Sequence, residues 1–139
     1  MSPINPYLTF GGNCREAMNF YKDVLGGELK LQTIGDSPLV EKMPADMKKY
    51  ILHSQLTNET LTLMGSDMVS EQGLIKGNAV SLMLACNSES SIRNYYKKLA
   101  AGGKATHPLE NTFWGALFGD LTDKFGNHWL LNFDKNQSL

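Results

Sequence analysis

An amphipathic helix pattern occurs twice in this chain at a constant spacing, which limits the possible folds more than any other feature. In the first copy, apolar residues recur at the i, i+3, i+4, i+7 and i+8 positions of one helical stripe. These residues are Ala17, Phe20, Tyr21, Val24 and Leu25, and their counterparts 75 positions later are Ile92, Tyr95, Tyr96, Leu99 and Ala100. A Gly-Gly pair follows each stripe, and glycine readily adopts the left-handed conformation that ends a helix. The sequence therefore predicts two equivalent helices.

Each predicted helix begins near a cysteine. Asn13 is expected to be the N-cap of the first helix, with its side-chain oxygen accepting a hydrogen bond from the amide of Glu16. Cys14 and Cys86 lie at the starts of the two helices. A helix N-terminus lowers the pKa of a thiol, but no histidine lies nearby in the sequence to assist a catalytic cysteine. Without a secretory signal, we expect two free thiols in a reducing, cytoplasmic compartment.

Alternating apolar and polar residues predict strands around each helix. The predicted strands span residues 4–10, 28–33, 50–57 and 60–64 in the first half and 79–85, 104–107, 113–121 and 128–133 in the second. Both halves then have the order β-α-β-β-β, which predicts the α+β fold class. We expect a single domain over residues 1–139, with one module at 1–65 and another at 78–134. The segment 36–48 is predicted to be a loop or lid and 65–78 a polar linker, and their roles stay open.

One face of each predicted sheet should stay uncovered, because the helix packs on the other face. Side-chain alternation places the following residues on the second face, around one cleft if the halves share a curved sheet: Tyr7, Thr9, His53, Gln55, Thr62, Met64, Ser81 and Met83. A slip of one residue would reverse the contribution of a strand. Trp114 and Phe118 are predicted to line the cleft or a dimer seam. The predicted ligand-binding set is Tyr7, Thr9, His53, Gln55, Thr62, Met64, Trp114 and Phe118.

His53 is the candidate catalytic residue, because a histidine on the cleft face suits hydrogen bonding or proton transfer near neutral pH. The alternative is a structural histidine whose hydrogen bonds Gln55 or Thr62 satisfies. Both interpretations stay open.

The other chemically notable residues have structural interpretations. His107 and His128 are expected to be structural or solvated, and Trp129 to belong to the core. Asp120 and Asp123 are expected to fix the turn that follows them rather than to form a catalytic pair.

Composition excludes several classes of partner. The net charge of −1 gives no basic surface for nucleic acid, and no apolar run reaches the length of a membrane span. Seven methionines and few charges on the cleft face favour a small apolar or aromatic ligand. A glycine-rich phosphate loop is also missing.

Three stretches of the sequence resemble a known family. They are PYLTFGGNCREAMNFYKDVLGGEL at 6–29, LHSQL at 52–56 and GGKATHPLENTFWGALFGDLTDKFGNHWLLN at 102–132. Together they resemble the PhnB-like branch of the vicinal oxygen chelate superfamily, which includes glyoxalase I and the bleomycin- and fosfomycin-resistance proteins. The resemblance implies two βαβββ modules that form a curved, open half-barrel sheet, and assembly as a homodimer.

The same resemblance implies a divalent metal, which most of the superfamily holds through His, Gln or Glu from four strands. The ligand positions would fall at Asn5 or Pro6, near Thr62, at Ala79 or Val80, and near Leu130. None of these side chains is an imidazole or a carboxylate, so we expect no metal and no other cofactor. Relatives carry labels such as methyltransferase, but the sequence lacks the strand, glycine-rich loop and acidic residue of a cofactor site for methyl transfer.

Three functions remain at this stage. The first is a metal-free small-molecule-binding protein of the glyoxalase/bleomycin-resistance type. The second is an enzyme of the lyase or isomerase type, in which His53 transfers a proton on a carbonyl compound with help from Gln55 or Thr62. The third is a non-catalytic interaction module whose cleft is vestigial.

Overall fold

Each half of the chain folds into one α-helix and four strands in the computed structural model, which describes residues 2–135. The unit Met1–Ile75 contains β1 (Tyr7–Thr9), α1 (Cys14–Leu25), β2 (Glu28–Thr33), β3 (Ile51–Thr57) and β4 (Thr62–Ser66). The unit Lys76–Leu139 contains β5 (Leu82–Cys86), α2 (Glu89–Ala100), β6 (Lys104–Asn111), β7 (Ala116–Thr122) and β8 (His128–Asp134). Two short 3-10 helices, Pro38–Lys42 and Ala45–Met47, lie in the predicted loop. That the halves form one domain, with modules at 1–65 and 78–134, stays a prediction.

The two sheets have the same topology. The strand order is β1-β4-β3-β2 in the first sheet and β5-β8-β7-β6 in the second. β1 is parallel to β4 and β5 is parallel to β8, whereas the other neighbouring strands are antiparallel. Within residues 2–135, both sheets are open and neither closes into a barrel. The predicted α+β fold with two βαβββ modules is therefore confirmed.

The two helices repeat with the predicted spacing. Each has 12 residues, and both ends of α2 lie 75 positions after those of α1. The buried residues of α1 are Cys14, Ala17, Met18, Tyr21 and Val24. Phe20 is half-buried, with its ring 5.6 Å from that of Tyr21. The face of α1 that packs on the sheet is thus rotated toward Met18 relative to the predicted stripe.

The Gly-Gly pairs join each helix to its sheet. Gly26 and Gly102 have φ angles of 77° and 79°, which is the left-handed conformation expected at a helix end. A Cβ atom on Gly27 would lie 2.6 Å from the carbonyl oxygen of Thr57, and one on Gly103 would lie 2.2 Å from that of Thr122. The second glycine of each pair is therefore required because the chain passes against the end of a strand.

The prediction that Asn13 caps α1 is wrong, because a distant carboxylate takes that role. Asn13 makes no side-chain cap hydrogen bond. Instead, Oδ1 of Asp67 accepts hydrogen bonds from the amides of Gly12 at 2.9 Å and Cys14 at 3.0 Å, and Oδ2 accepts one from the amide of Ile51 at 2.8 Å. Asp67 follows β4 directly and is 6% exposed. One buried carboxylate thus ties the starts of α1 and β3 to the end of β4.

Prolines and turns explain the strand boundaries that differ from the prediction. β1 begins at Tyr7 rather than at residue 4, because Pro6 has no amide hydrogen for the ladder. β6 continues through Pro108 to Asn111; proline is tolerated there because β6 is an edge strand. β5 spans 82–86 instead of 79–85. β7 begins only at Ala116, after a turn closed by hydrogen bonds between Thr112 and Ala116.

A bulge changes the pairing at the start of β3. The register against β2 shifts between Gln32 and Thr33, so that Gln32 pairs with His53 and Thr33 with Ile51. Ile51 is consequently fully buried, whereas Leu52 is half-buried. Because His53 and Gln55 were predicted to lie on the uncovered face, alternation placed Leu52, and not Ile51, on the core face. The extra residue that the bulge inserts into β3 explains the error. His53 keeps its predicted face.

Replacing Asp67 with Asn should destabilise the protein substantially. An amide has only one acceptor oxygen, so at least one of the three backbone amides loses its partner. Because a hydrogen bond to a charged group is typically worth about 1.5–3 kcal/mol, we expect the free energy of unfolding to fall by about 2–4 kcal/mol. Denaturant unfolding measures this, with Asp46→Asn as a control at an exposed carboxylate, expected to change stability by less than about 0.5 kcal/mol. Equal stability of the two variants would contradict the role of Asp67.

Candidate functional site

The face of the first sheet that lies opposite α1 carries six residues of the predicted ligand-binding set. In the register of this sheet, Leu56 pairs with Leu63 on the buried side, so the alternating positions face the other way. The residues on this uncovered face include Tyr7, Thr9, His53, Gln55, Thr62 and Met64. Their shared placement is confirmed, while their role in ligand binding stays a prediction.

Tyr7 and His53 are in contact on this face. The Tyr7 hydroxyl lies 3.3 Å from Nδ1 of His53, and the ring centroids are 5.9 Å apart with a tilt of 31°. Tyr7 is 49% exposed and His53 is half-buried. With the phenol as donor, Nδ1 is the acceptor, and the neutral ring keeps its hydrogen on Nε2. Within residues 2–135, Nε2 has no hydrogen-bond partner, so it is available to a ligand.

The side chains predicted to assist His53 do not contact it. The amide nitrogen of Gln55 donates to Thr57 Oγ1 at 3.1 Å. Thr62 pairs with Thr57, which is four residues from His53 along β3, a separation of about 13 Å in a strand. Among residues 2–135, His53 is therefore hydrogen-bonded to neither Gln55 nor Thr62, and the side chain within reach of its ring is Tyr7. Assistance by Gln55 or Thr62 in a reaction stays a prediction.

The remaining two predicted ligand-binding residues lie in the second unit. Trp114 belongs to the turn before β7 rather than to a strand, and it is 56% exposed. Its ring centroid lies 5.0 Å from that of Phe113 and 6.3 Å from that of Phe118. Phe118 faces away from buried Leu117 and lies on the uncovered side of β7. The eight predicted residues thus divide between the two units.

A pocket of about 330 Å³ lies against the second sheet. It is lined by Asn78, Ser81, Lys104, Thr106, Asp120, Leu121, Thr122, His128, Trp129 and Leu130. Sequence reasoning missed this site because Asp120 and His128 had been given structural roles and Lys104 none. Side-chain alternation could have indicated it. Asp120 pairs with Leu130, and Leu130 pairs with Met83, so all three side chains lie on the same face of the sheet.

His128 has the structural role that the sequence indicated. Its Nδ1 lies 2.9 Å from Thr122 Oγ1, and its Nε2 lies 3.2 Å from the carbonyl oxygen of Gly77. The carbonyl can only accept, so Nε2 carries the hydrogen and Nδ1 accepts from the threonine. Both ring nitrogens are therefore occupied.

The predictions for the two aspartates had different outcomes. Asp123 fixes the turn as expected: its Oδ1 accepts from the amides of Phe125 at 2.9 Å and Asn127 at 3.0 Å. Its Oδ2 accepts the indole hydrogen of Trp129 at 2.8 Å, and Trp129 is 3% exposed, which confirms its place in the core. Asp120 instead lies within β7 and contacts Nδ1 of His107. The prediction that Asp120 fixes the turn is therefore wrong.

Neither cysteine is activated. Both are free and buried, as expected for unpaired thiols. Burial raises the pKa of each thiol to about 11; at Cys14, the hydrogen bond with Ser54 opposes this effect only in part. The helix N-terminus therefore does not make Cys14 a nucleophile, because the thiolate is the reactive form.

Comparison with known proteins decides the family. The sequence profile described as 3-demethylubiquinone-9 3-methyltransferase matches residues 2–132. The chain belongs to this PhnB-like family. The resemblance found in the sequence is confirmed.

Relatives of this PhnB-like protein match along nearly their whole length. PA1353 from Pseudomonas aeruginosa is 40% identical, with a TM-score of 0.84 and coverage of 96% of this chain and 98% of that one. Protein YjdN from Escherichia coli K12 is 31% identical over 97% of each chain. A Bacillus cereus structure described as a putative 3-demethylubiquinone-9 3-methyltransferase, PhnB protein, is 25% identical, with a TM-score of 0.75 and coverage of 95% and 99%.

The wider fold is that of the glyoxalase/bleomycin resistance protein/dioxygenase superfamily. A member from Sphaerobacter thermophilus is 19% identical and has a TM-score of 0.61, with coverage of 96% of this chain and 98% of that one. At this identity, the similarity concerns the fold alone. In the described residues, no helix is both long enough and apolar enough to cross a membrane.

The side chains of this PhnB-like chain do not fit the superfamily's metal site. Thr62 and Leu130, at two of the expected ligand positions, offer neither an imidazole nor a carboxylate. Across residues 2–135, no three His, Cys, Asp or Glu side chains lie close enough together to hold an ion.

Both thiols should react slowly with iodoacetamide while the protein is folded. At pH 8.5, a pKa near 11 leaves a thiolate fraction on the order of 100-fold below that of an ordinary cysteine. Mass spectrometry measures the rate, with urea-unfolded protein as the fast control. Only the unfolded thiols ionise between pH 9.0 and about 11, so stability should fall over that range. Rapid labelling of folded Cys14 would contradict this assignment.

Proposed function

We propose that this PhnB-like protein is a metal-free small-molecule-binding protein whose ligand lies on the uncovered face of the first sheet. The contact between Tyr7 and His53 carries the proposal, because it combines an aromatic surface with an available hydrogen-bonding nitrogen. The relation to the glyoxalase/bleomycin-resistance type supports it further.

The side chains of this face define the chemistry of the ligand. Tyr7 and Met64 offer an aromatic ring and a polarisable thioether, while Thr9 and Gln55 are uncharged. His53 offers Nε2 as a donor in the tautomer whose Nδ1 accepts from the Tyr7 hydroxyl. The ligand is therefore a small aromatic or apolar molecule that carries one acceptor oxygen, such as a carbonyl.

The proposal includes a homodimer in the cytoplasm. The family relation and the exposed apolar side chains Ile4 and Phe113, at 96% and 97% exposure, support assembly with a second copy. The two free thiols support a reducing compartment. Trp114 and Phe118 are retained as aromatic ligand or interface residues.

An enzyme that transfers a proton on a carbonyl compound is the second candidate. The contact with Tyr7 favours it, because a hydrogen bond at Nδ1 orients the imidazole, as enzymes require of an acid or base. In the tautomer with its hydrogen on Nε2, His53 polarises the carbonyl by donating a hydrogen bond to its oxygen. Loss of turnover in His53→Ala with nearly unchanged binding would favour the enzyme over the binding protein.

Ligand screening tests the binding proposal. A compound that binds only the folded state raises Tm, and we expect members of an acetophenone, benzamide and coumarin panel to do so. The loss of one good hydrogen bond costs about 1 kcal/mol, so His53→Ala should weaken binding about 5-fold. Tyr7→Phe should weaken binding by a smaller factor. Lys22→Ala, at an exposed position of α1, is the matched control and should bind as the parent protein does. Absence of any shift at millimolar concentrations, or equal losses in the control, would overturn the proposal.

A further inference from the structure

The second unit contains a histidine held by a carboxylate in a well-defined geometry. Nδ1 of His107 lies 3.0 Å from Oδ1 and 2.9 Å from Oδ2 of Asp120, and the two residues pair across β6 and β7. The side chain of His107 is 74% exposed, whereas that of Asp120 is 27% exposed. The carboxylate thus holds the inner side of the ring and leaves the outer side open.

Helix α2 supports this pair from the opposite face. The hydroxyl of Tyr96 lies 3.0 Å from the carbonyl oxygen of His107 and 2.9 Å from that of Asp120, so it can donate to either. Burial, and secondarily the charge of Asp120, raises the pKa of Tyr96, which keeps its hydroxyl protonated as a donor. The backbone positions of both residues are therefore fixed by the same side chain.

The contact with Asp120 determines what His107 can offer. A carboxylate only accepts hydrogen bonds, so Nδ1 of His107 must carry the hydrogen. In the neutral ring, Nε2 then has a free lone pair and accepts a hydrogen bond. No residue in the range 2–135 makes a hydrogen bond to Nε2. At His53 the neighbouring phenol can donate or accept, so the contact there does not select a tautomer in this way.

A lysine lies on the same edge strand as His107, in a pocket that His107 does not line but that includes its partner Asp120. Lys104 lines the 330 Å³ pocket together with Asp120 and Thr106, and it has no ion-pair partner within the described chain. Lys104 pairs with Thr122, and His107 pairs with Asp120. Because Thr122 and Asp120 are two residues apart on β7, the backbones of Lys104 and His107 lie about 7 Å apart. The hydroxyl groups of Ser81 and Thr106 add donors to the same pocket.

We propose that the second unit binds a small hydroxylated carboxylate, whose anionic oxygen pairs with Lys104 and whose hydroxyl donates to Nε2 of His107. His107 is the residue that selects the hydroxyl, and Asp120 is a positioning residue that sets the tautomer. The site depends only on residues of the second unit, so it does not rest on the ligand site proposed on the first sheet.

Binding of a matched pair of probes tests the site. The probe is 4-hydroxyphenylacetate, and phenylacetate is the analogue without the hydroxyl. Followed by heteronuclear NMR titration, 4-hydroxyphenylacetate should shift the signals of Lys104 and His107 and bind at least about 5-fold more tightly than phenylacetate, as expected for one hydrogen bond. No shifts at millimolar concentrations, or equal affinity of the two probes, would overturn the proposal.

Variants separate the roles of the residues. Lys104→Gln should weaken binding of both probes, and Lys98→Gln, at an exposed position of α2, should weaken neither. His107→Gln should remove the preference for the hydroxyl while retaining binding of phenylacetate. The signals of Tyr7 and His53 are followed in the same titrations, so that binding on the first sheet is distinguished from binding at Lys104 and His107. Equal behaviour of the Lys104 and Lys98 variants would overturn the assignment.

The tautomer gives a test that is independent of any ligand. Long-range ¹H–¹⁵N spectra distinguish a protonated ring nitrogen from an unprotonated one. In the neutral form, His107 should carry its hydrogen on Nδ1, and Asp120→Asn should shift the population toward the Nε2 tautomer. A neutral His107 with its hydrogen on Nε2 in the parent protein would overturn the proposal, even if the fold is unchanged.

Discussion

A buried carboxylate at the end of a strand is the interaction on which the first unit depends. Asp67 supplies acceptors to three backbone amides, at the starts of α1 and β3. Amides buried without acceptors would each cost free energy comparable to a lost hydrogen bond. The second unit uses Asp123 for a related purpose, since its carboxylate closes a turn and accepts the indole hydrogen of Trp129. Each carboxylate thus fixes chain connections from a buried position.

The uncovered faces of the two sheets each carry a histidine with one ring nitrogen held by a neighbour. At His53 the neighbour is a phenol, which can donate or accept, so this contact is compatible with either tautomer. At His107 the neighbour is a carboxylate, which accepts, so the available nitrogen is an acceptor. His128 differs from both, because its two nitrogens already have partners. The same side chain type thus lies in three different settings, each defined by the groups at its ring nitrogens.

Membership of the PhnB-like family and the shared superfamily fold narrow the function without specifying it. A fold supports many activities, and the residues at the site decide among them. Here the strand positions expected to hold a metal carry side chains such as Thr62 and Leu130, which offer neither an imidazole nor a carboxylate. This is why the function that we propose relies on neutral donors, aromatic rings and a few charges.

The sequence by itself determined the two helices, the order of helix and strands along each half of the chain and the uncovered face of the first sheet. Those features follow from local periodicity, which requires only that neighbouring residues alternate or recur along one element. Alternation therefore placed Tyr7, His53 and Met64 on one face before their contacts were known. Its failures occurred where one residue was inserted or a turn intervened, as at Ile51 and Trp114.

Only the tertiary structure decided which side chains meet. Asp67 caps a helix that begins 53 residues earlier, Tyr7 is the side chain within reach of the His53 ring, and Asp120 contacts His107 instead of the following turn. These pairs join positions far apart in the sequence, so no local pattern records them. They depend on strand register and on the bulges that shift it, and both are set by the packing of each sheet against its helix.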